Sequence, residues 1–155
     1  MSRRLRLSVD PDMDRFIICR FDWQAERQMG GSGFLAVGIG AALGAWLRWW
    51  LGVALNVVTP NLPLGTLAAN LIGGYLIGVA VEVFSQQGGL PVEMRLFAIT
   101  GFLGGLTTFS SFSAEAVGLL MESRYAWAIL LISSHLIGSI VMTVLGFFTV
   151  RGVTA

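Results

Sequence analysis

Gly101-Phe102-Leu103-Gly104-Gly105-Leu106-Thr107-Thr108-Phe109-Ser110-Ser111-Phe112-Ser113-Ala114-Glu115 lies inside an apolar segment long enough to cross a bilayer, yet it resists being one continuous helix. Gly101, Gly104 and Gly105 weaken the helical ladder, while Thr107, Thr108, Ser110, Ser111 and Ser113 add hydroxyls. In hydrocarbon an interrupted backbone is tolerable only where protein or a water-filled cavity satisfies the freed amides and carbonyls. Such interruptions tend to be where ions are handled. The enclosing span, from about Glu93 to Met121, is too long for one straight crossing. A break near Gly104–Thr108 divides it into two half-helices meeting in mid-membrane, with Phe109 and Phe112 on one face of the second half and Ser110 beside them.

Composition places this stretch in a membrane protein. Of 155 residues, 55% are hydrophobic and 12% charged, and a soluble domain carries about twice that charged fraction. The formal net charge of +1 and the absence of a basic stripe give no sign of a nucleic-acid partner. All ten basic residues are arginines. The single cysteine, Cys19, excludes an intrachain disulfide and a thiolate metal cluster. The only histidine, His135, has no carboxylate at ligand spacing, and neither a phosphate-binding loop nor a nucleophile elbow is present, so nothing in the chain suggests an enzyme.

Residues 1–32 differ from the rest. They hold six arginines and five acids, and Asp10, Asp12 and Asp14 interrupt what a secretory signal would need as its apolar core. They read as a poorly ordered N-terminal extension, or as the product of a start assigned upstream of Met29. Residues 33–151 form a single four-helix domain.

The first span covers about Phe34 to Val53, with Gly40, Gly44 and Ala45 forming a small-residue face. Arg48, among Trp46, Trp49 and Trp50, reads as a snorkelling anchor or as a positive charge at the mouth of an anion pathway. Pro60 to Pro63 turns the chain into the second span, about Gly65 to Phe84, where Thr66, Asn70 and Gly73 share a face. Asn70 reads as interhelical glue or as an amide donor aimed into a cavity. Glu122-Ser123-Arg124 is a tight turn into the fourth span, about Tyr125 to Val150, along which Ser134, Ser139 and Thr143 lay a polar track. His135 reads as a hydrogen-bonded packing residue. The core arginines Arg48, Arg95, Arg124 and Arg151 lie near alternating ends, so the charge bias that orients membrane proteins is close to nil and antiparallel partners become possible.

Three ordered motifs resemble those of the CrcB/Fluc fluoride channels. Gly44-Ala45-Trp46-Leu47-Arg48 is similar to that family's Gly-Ala-x-x-Arg element, and Gly65-Thr66-Leu67-Ala68-Ala69-Asn70-Leu71-Ile72-Gly73 to its Gly-Thr-Leu-x-x-Asn-x-x-Gly. The stretch from Gly101 to Glu115 resembles its third-helix signature. The likeness covers the chain from about Met29 onward. It implies a passive fluoride exporter of a bacterial-type inner membrane, built as an antiparallel, dual-topology homodimer with two pores and a central structural sodium ion. The backbone carbonyls of Gly104 and Thr107 would hold the sodium. Asn70, Phe109, Ser110 and Phe112 would line the fluoride path, and Arg48 its vestibule. Glu115 matches the motif's acid. Where many relatives carry a tyrosine on the fourth helix, one turn before Ser134, this chain has Leu130. Two rival readings are a small proton-coupled multidrug exporter, which needs a carboxylate that the first span lacks, and a non-transporting membrane scaffold.

Overall fold

The computed structural model describes residues 30–59, 62–86 and 90–154, and all their regular structure is helical. The N-terminal extension lies outside the described residues except for its last three. Of these, Gly30 precedes the first helix, and Gly31 and Ser32 open it. The elements are α1 (Gly31–Leu55), α2 (Leu64–Gln86), α3 (Val92–Arg95), a π-helical stretch (Leu96–Leu103), α4 (Gly104–Leu106), α5 (Phe109–Met121) and α6 (Tyr125–Thr154). Among the described residues four segments are long and apolar enough to cross a membrane: α1, α2, the composite run Val92–Met121, and α6. Only 17–33% of each spanning window is buried within the chain. Large apolar side chains such as Phe34, Trp46, Ile129, Leu136 and Phe148 therefore face outward, which suits surroundings of lipid tails.

The helices pair through small residues. α1 packs along the π-helical stretch and α4, with Gly40 meeting Gly101, Gly44 meeting Phe102 and Leu106, and Gly105 meeting Ala41; α2 packs along α6, with Gly74 and Gly78 meeting Ser139, Thr143 and Gly146. A Cβ on Gly44 would strike the Phe102 carbonyl and lie 2.7 Å from the Leu106 nitrogen. A Cβ on Gly78 would strike the Thr143 carbonyl and lie 3.0 Å from its carbon. Between lipid-soaked helices no hydrophobic force draws the partners together, so backbone-to-backbone packing supplies the attraction. One core cluster, of Leu51, Ala69, Leu103 and Leu106, joins the first three spans, and a second, of Ala116, Leu119, Ala128 and Leu131, joins α5 to α6.

The turn of the α5–α6 hairpin and the far end of the α2–α6 pair are each closed by polar groups. Ser123 turns the chain at φ 59°, and Arg124 N–H donates to the Leu119 carbonyl at 2.9 Å. At the far end of α6, Arg151 makes two contacts to the buried Glu82 carboxylate, at 2.9 and 3.3 Å, while Gln86 donates to Glu82 at 3.1 Å. The pair joins the last turns of α2 and α6, so neither charge is left unpartnered in an apolar setting.

The third span has the composite form that its length demanded. Gly104 and Gly105 remain helical, and the interruption falls just after them, on Thr107 (φ −80°, ψ 152°) and Thr108 (φ −149°, ψ 118°), both extended. The eight-residue π-helical stretch before it has no counterpart in the sequence reading.

The α1 contact yields a test. Gly44→Ala should destabilise the folded protein by about 1–3 kcal/mol, the usual cost of forcing a methyl into a filled contact. Gly38→Ala, on the same helix with nothing within 4 Å of the added Cβ, should be neutral or slightly stabilising. Thermal aggregation of the two detergent-purified variants, followed by size-exclusion chromatography, separates these outcomes.

Candidate functional site

The interruption at Thr107 and Thr108 frees polar backbone groups that a continuous helix would pair internally. Some find partners within the same span and some on side chains of other spans. Thr107 N–H and its hydroxyl both donate to the Leu103 carbonyl, at 3.0 and 2.9 Å. Thr108 caps α5, its hydroxyl oxygen accepting from Ser111 N–H at 3.2 Å. The Gly105 carbonyl accepts from Arg48 Nε at 3.1 Å.

Asn70 of α2 brackets the break itself. Its Oδ1 accepts from Thr108 N–H at 2.8 Å, and its Nδ2 donates to the Thr108 carbonyl at 3.0 Å. A backbone N–H can only donate, so the bond to Thr108 fixes which end of the amide is oxygen. The second hydrogen of Nδ2 goes to Nδ1 of His135 on α6, at 3.0 Å. One asparagine thus ties α2, the break and α6 together. One turn earlier, Thr66 donates from the same face of α2 to Glu115 of α5 at 2.6 Å.

The aromatic groups follow from the cap. With Thr108 as N-cap, Phe109 and Phe112 fall in the first turn of α5, their ring centroids 5.5 Å apart and their planes at 64°. Phe112 also stacks on the His135 imidazole, at 4.6 Å and 27°. These residues border a cavity of about 730 Å³ whose wall includes Asn70, Gly104, Thr107, Phe109, Phe112, His135, Ser139 and Thr143.

Most of the residues singled out from sequence therefore converge on one space. Arg48, Ser110 and Ser134 are not part of its wall. Arg48 is held on Gly105; Ser110 shares a 3.2 Å hydrogen bond with the Thr108 hydroxyl; Ser134 donates to the Leu130 carbonyl at 2.6 Å. Thr143 likewise donates to the Ser139 carbonyl at 2.9 Å, but from within the cavity wall. The polar track on α6 thus runs His135, Ser139, Thr143, at strict four-residue spacing. His135 is hydrogen-bonded and packed, as expected, and it also borders the cavity. That same spacing in the sequence was the signal for it.

Chemically, the cavity offers aromatic edges, hydroxyls, one imidazole and backbone carbonyls at the break. Its wall contains no carboxylate and no thiol. Among the described residues no group of three or more His, Cys, Asp or Glu side chains stands ready to hold a metal ion. Near the break the oxygens within reach of a cation are backbone carbonyls and the hydroxyls of Thr107 and Thr108.

The model of the family described as "CrcB-like protein, Camphor Resistance (CrcB)" matches residues 35–147. A protein of Nitrosospira multiformis named "Fluoride-specific ion channel FluC" is 65% identical over 123 residues, covering 79% of this chain and 96% of its own length. Proteins of the same name from Ralstonia pickettii and Cupriavidus pinatubonensis are 63% and 62% identical, each covered over 98% of its length. With four membrane-capable helices and relatives matched almost end to end, the chain belongs to the CrcB family of multi-pass membrane proteins.

Proposed function

We propose that this protein is a passive, fluoride-selective channel of the bacterial inner membrane that lets fluoride leave the cytoplasm and so relieves fluoride toxicity. The observation that carries this reading is a single cavity in which a helix break, two edge-packed phenylalanines and a bracketing asparagine meet, in a chain whose relatives are named fluoride-specific channels. An aromatic ring is positive at its edge, so the rims of Phe109 and Phe112 attract an anion without trapping it. Ser139 and Thr143 add hydroxyls along the cavity wall, and Ser110 stands behind it on the Thr108 hydroxyl. Several weak contacts in series let an ion enter and leave again. No carboxylate of the kind a proton-coupled exporter needs is found in the first span.

The break has a second use in this reading. Thr108 has both backbone groups held by Asn70, and the Gly105 carbonyl is held by Arg48. The Gly104 and Thr107 carbonyls have no such partner among the described residues, and a hard cation prefers such oxygens. They fit a sodium ion, whose charge would offset the repulsion felt by an anion nearby. Two oxygens from one chain fall short of the roughly six that a hard cation takes, so the same pair from a second copy would add to the shell. An antiparallel homodimer, with the break of each copy in mid-membrane, supplies that pair, consistent with the unbiased distribution of the core arginines. Phe109 is 80% exposed on the single chain, and the second copy would cover it while forming a pore on each side of the shared axis.

Proteoliposomes loaded with potassium fluoride and opened with valinomycin should release fluoride to an electrode without any proton gradient, while chloride-loaded vesicles should not release chloride. Fluoride retention would overturn the proposal. Asn70→Asp should cut fluoride flux by more than about tenfold, because a carboxylate cannot donate to Thr108 or His135 and adds a negative charge beside the path. Phe109→Ile and Phe112→Ile, which keep bulk but lose the positive ring edge, should each lower flux in dimers that elute normally.

A further inference from the structure

Two side-chain polar atoms among the described residues are buried without a hydrogen-bond partner, Glu115 Oε2 and His135 Nε2. Only His135 belongs to the cavity wall. We propose that His135 is a specificity-determining residue of the permeation path, donating a hydrogen bond from Nε2 to the passing fluoride. The inference rests on the channel reading and names a donor within it.

The proton's place follows from Asn70. Nδ2 of that residue can only donate, so Nδ1 of His135 must accept, and the neutral ring then carries its hydrogen on Nε2. The orientation of Asn70 is itself set by the Thr108 backbone. The ring plane is held independently by its stack on Phe112 at 4.6 Å. His135 is only 5% exposed, so Nε2–H is a fixed donor screened from bulk water. A buried donor without an acceptor is costly; Nε2 itself is covered in the single chain, so a small dehydrated anion would satisfy it by displacing the atoms that cover it. The consequence for Asn70 is specific. Both of its amide hydrogens are already engaged by protein acceptors, so donation to the ion passes from Asn70 to His135. Ser139 and Thr143 follow at one-turn intervals along the same wall.

The two ring nitrogens can be tested apart. In His135→Asn the side-chain oxygen retains a partner for Asn70 but nothing reaches the Nε2 position. In His135→Gln the amide nitrogen restores a donor near that position and the Nδ1 acceptor is lost. Fluoride efflux should fall about tenfold in His135→Asn, the scale of a hydrogen bond lost to a charged group, and recover to within about threefold of the parent in His135→Gln. The reverse order, or equal loss in both, would overturn the proposal and leave His135 a packing residue. Should either variant fail to elute as a folded dimer, the parent protein gives the answer. Its single histidine, labelled with nitrogen-15, should report an Nε2–H tautomer whose Nε2 resonance moves with added fluoride and not with added chloride. An Nδ1–H tautomer, or a resonance indifferent to fluoride, would refute it. If the parent conducts fluoride while these results fail, the donor assignment alone falls. If the parent does not conduct, the channel reading falls with it.

Discussion

A backbone that leaves its helical ladder in an apolar environment must find a partner for every polar group it frees, and in this protein that demand is met chiefly by Asn70. The bracket it forms on Thr108, at 2.8 and 3.0 Å, is what a neighbouring strand would supply in a sheet, delivered here by one side chain. Losing it would strand a donor and an acceptor together, each costing about 1–3 kcal/mol when buried. The rest of the site depends on this bracket. With Thr108 extended, its hydroxyl can cap α5, and the cap sets the phase at which Phe109 and Phe112 leave the helix. The third bond of Asn70 then carries the same constraint across to His135 on α6.

The approach of the helices is governed by a different force. Glycines at the α1–third-span and α2–α6 contacts bring backbones so close that a single methyl would collide with a carbonyl. That closeness is why the polar bridges are short and direct. Arg48 on α1 reaches the Gly105 carbonyl without an intervening group. Packing and polar satisfaction are therefore not separate layers of the design. Spreading the helices would stretch the bonds that allow the backbone to be open at all.

Much of this was legible in the sequence, for identifiable reasons. Four apolar runs of spanning length, separated by Pro, Gly and charged residues, mark four crossings, and the described helices extend those runs by one to four residues at most ends. The glycine and threonine content of Gly101–Thr108 marks a break, because both residue types weaken a helix locally. Its exact position was harder to read. Gly104 and Gly105 look like the weak point, yet they stay helical, because the pairing of Thr108 with Asn70 is long-range and decides where the ladder parts. The π-helical turn leaves no periodic trace, since a widened turn alters spacing by one residue in a stretch where nearly every residue is apolar. Arg48 shows the same limit. Its placement beside three tryptophans resembles that of an interfacial anchor, while its hydrogen bond to Gly105 is set by how α1 packs on α4.

The charge distribution around the break has a consequence for ion handling. Arg48 sits on the carbonyl adjacent to Gly104, so one of the oxygens released near the interruption already faces a fixed positive charge. At Thr108 itself, Asn70 and its partner His135 are neutral groups that present hydrogen-bonding dipoles. In the proposed channel an anion passing the phenylalanine edges would thus meet neutral, oriented dipoles in the cavity wall, with the Arg48 charge outside that wall. Strong binding by a guanidinium in the path would hold fluoride too long for conduction, whereas the same guanidinium spent on a backbone carbonyl raises the local potential without becoming a trap. In the channel proposed above, such an arrangement would favour passage over capture, because the cavity wall presents neutral groups and no fixed charge.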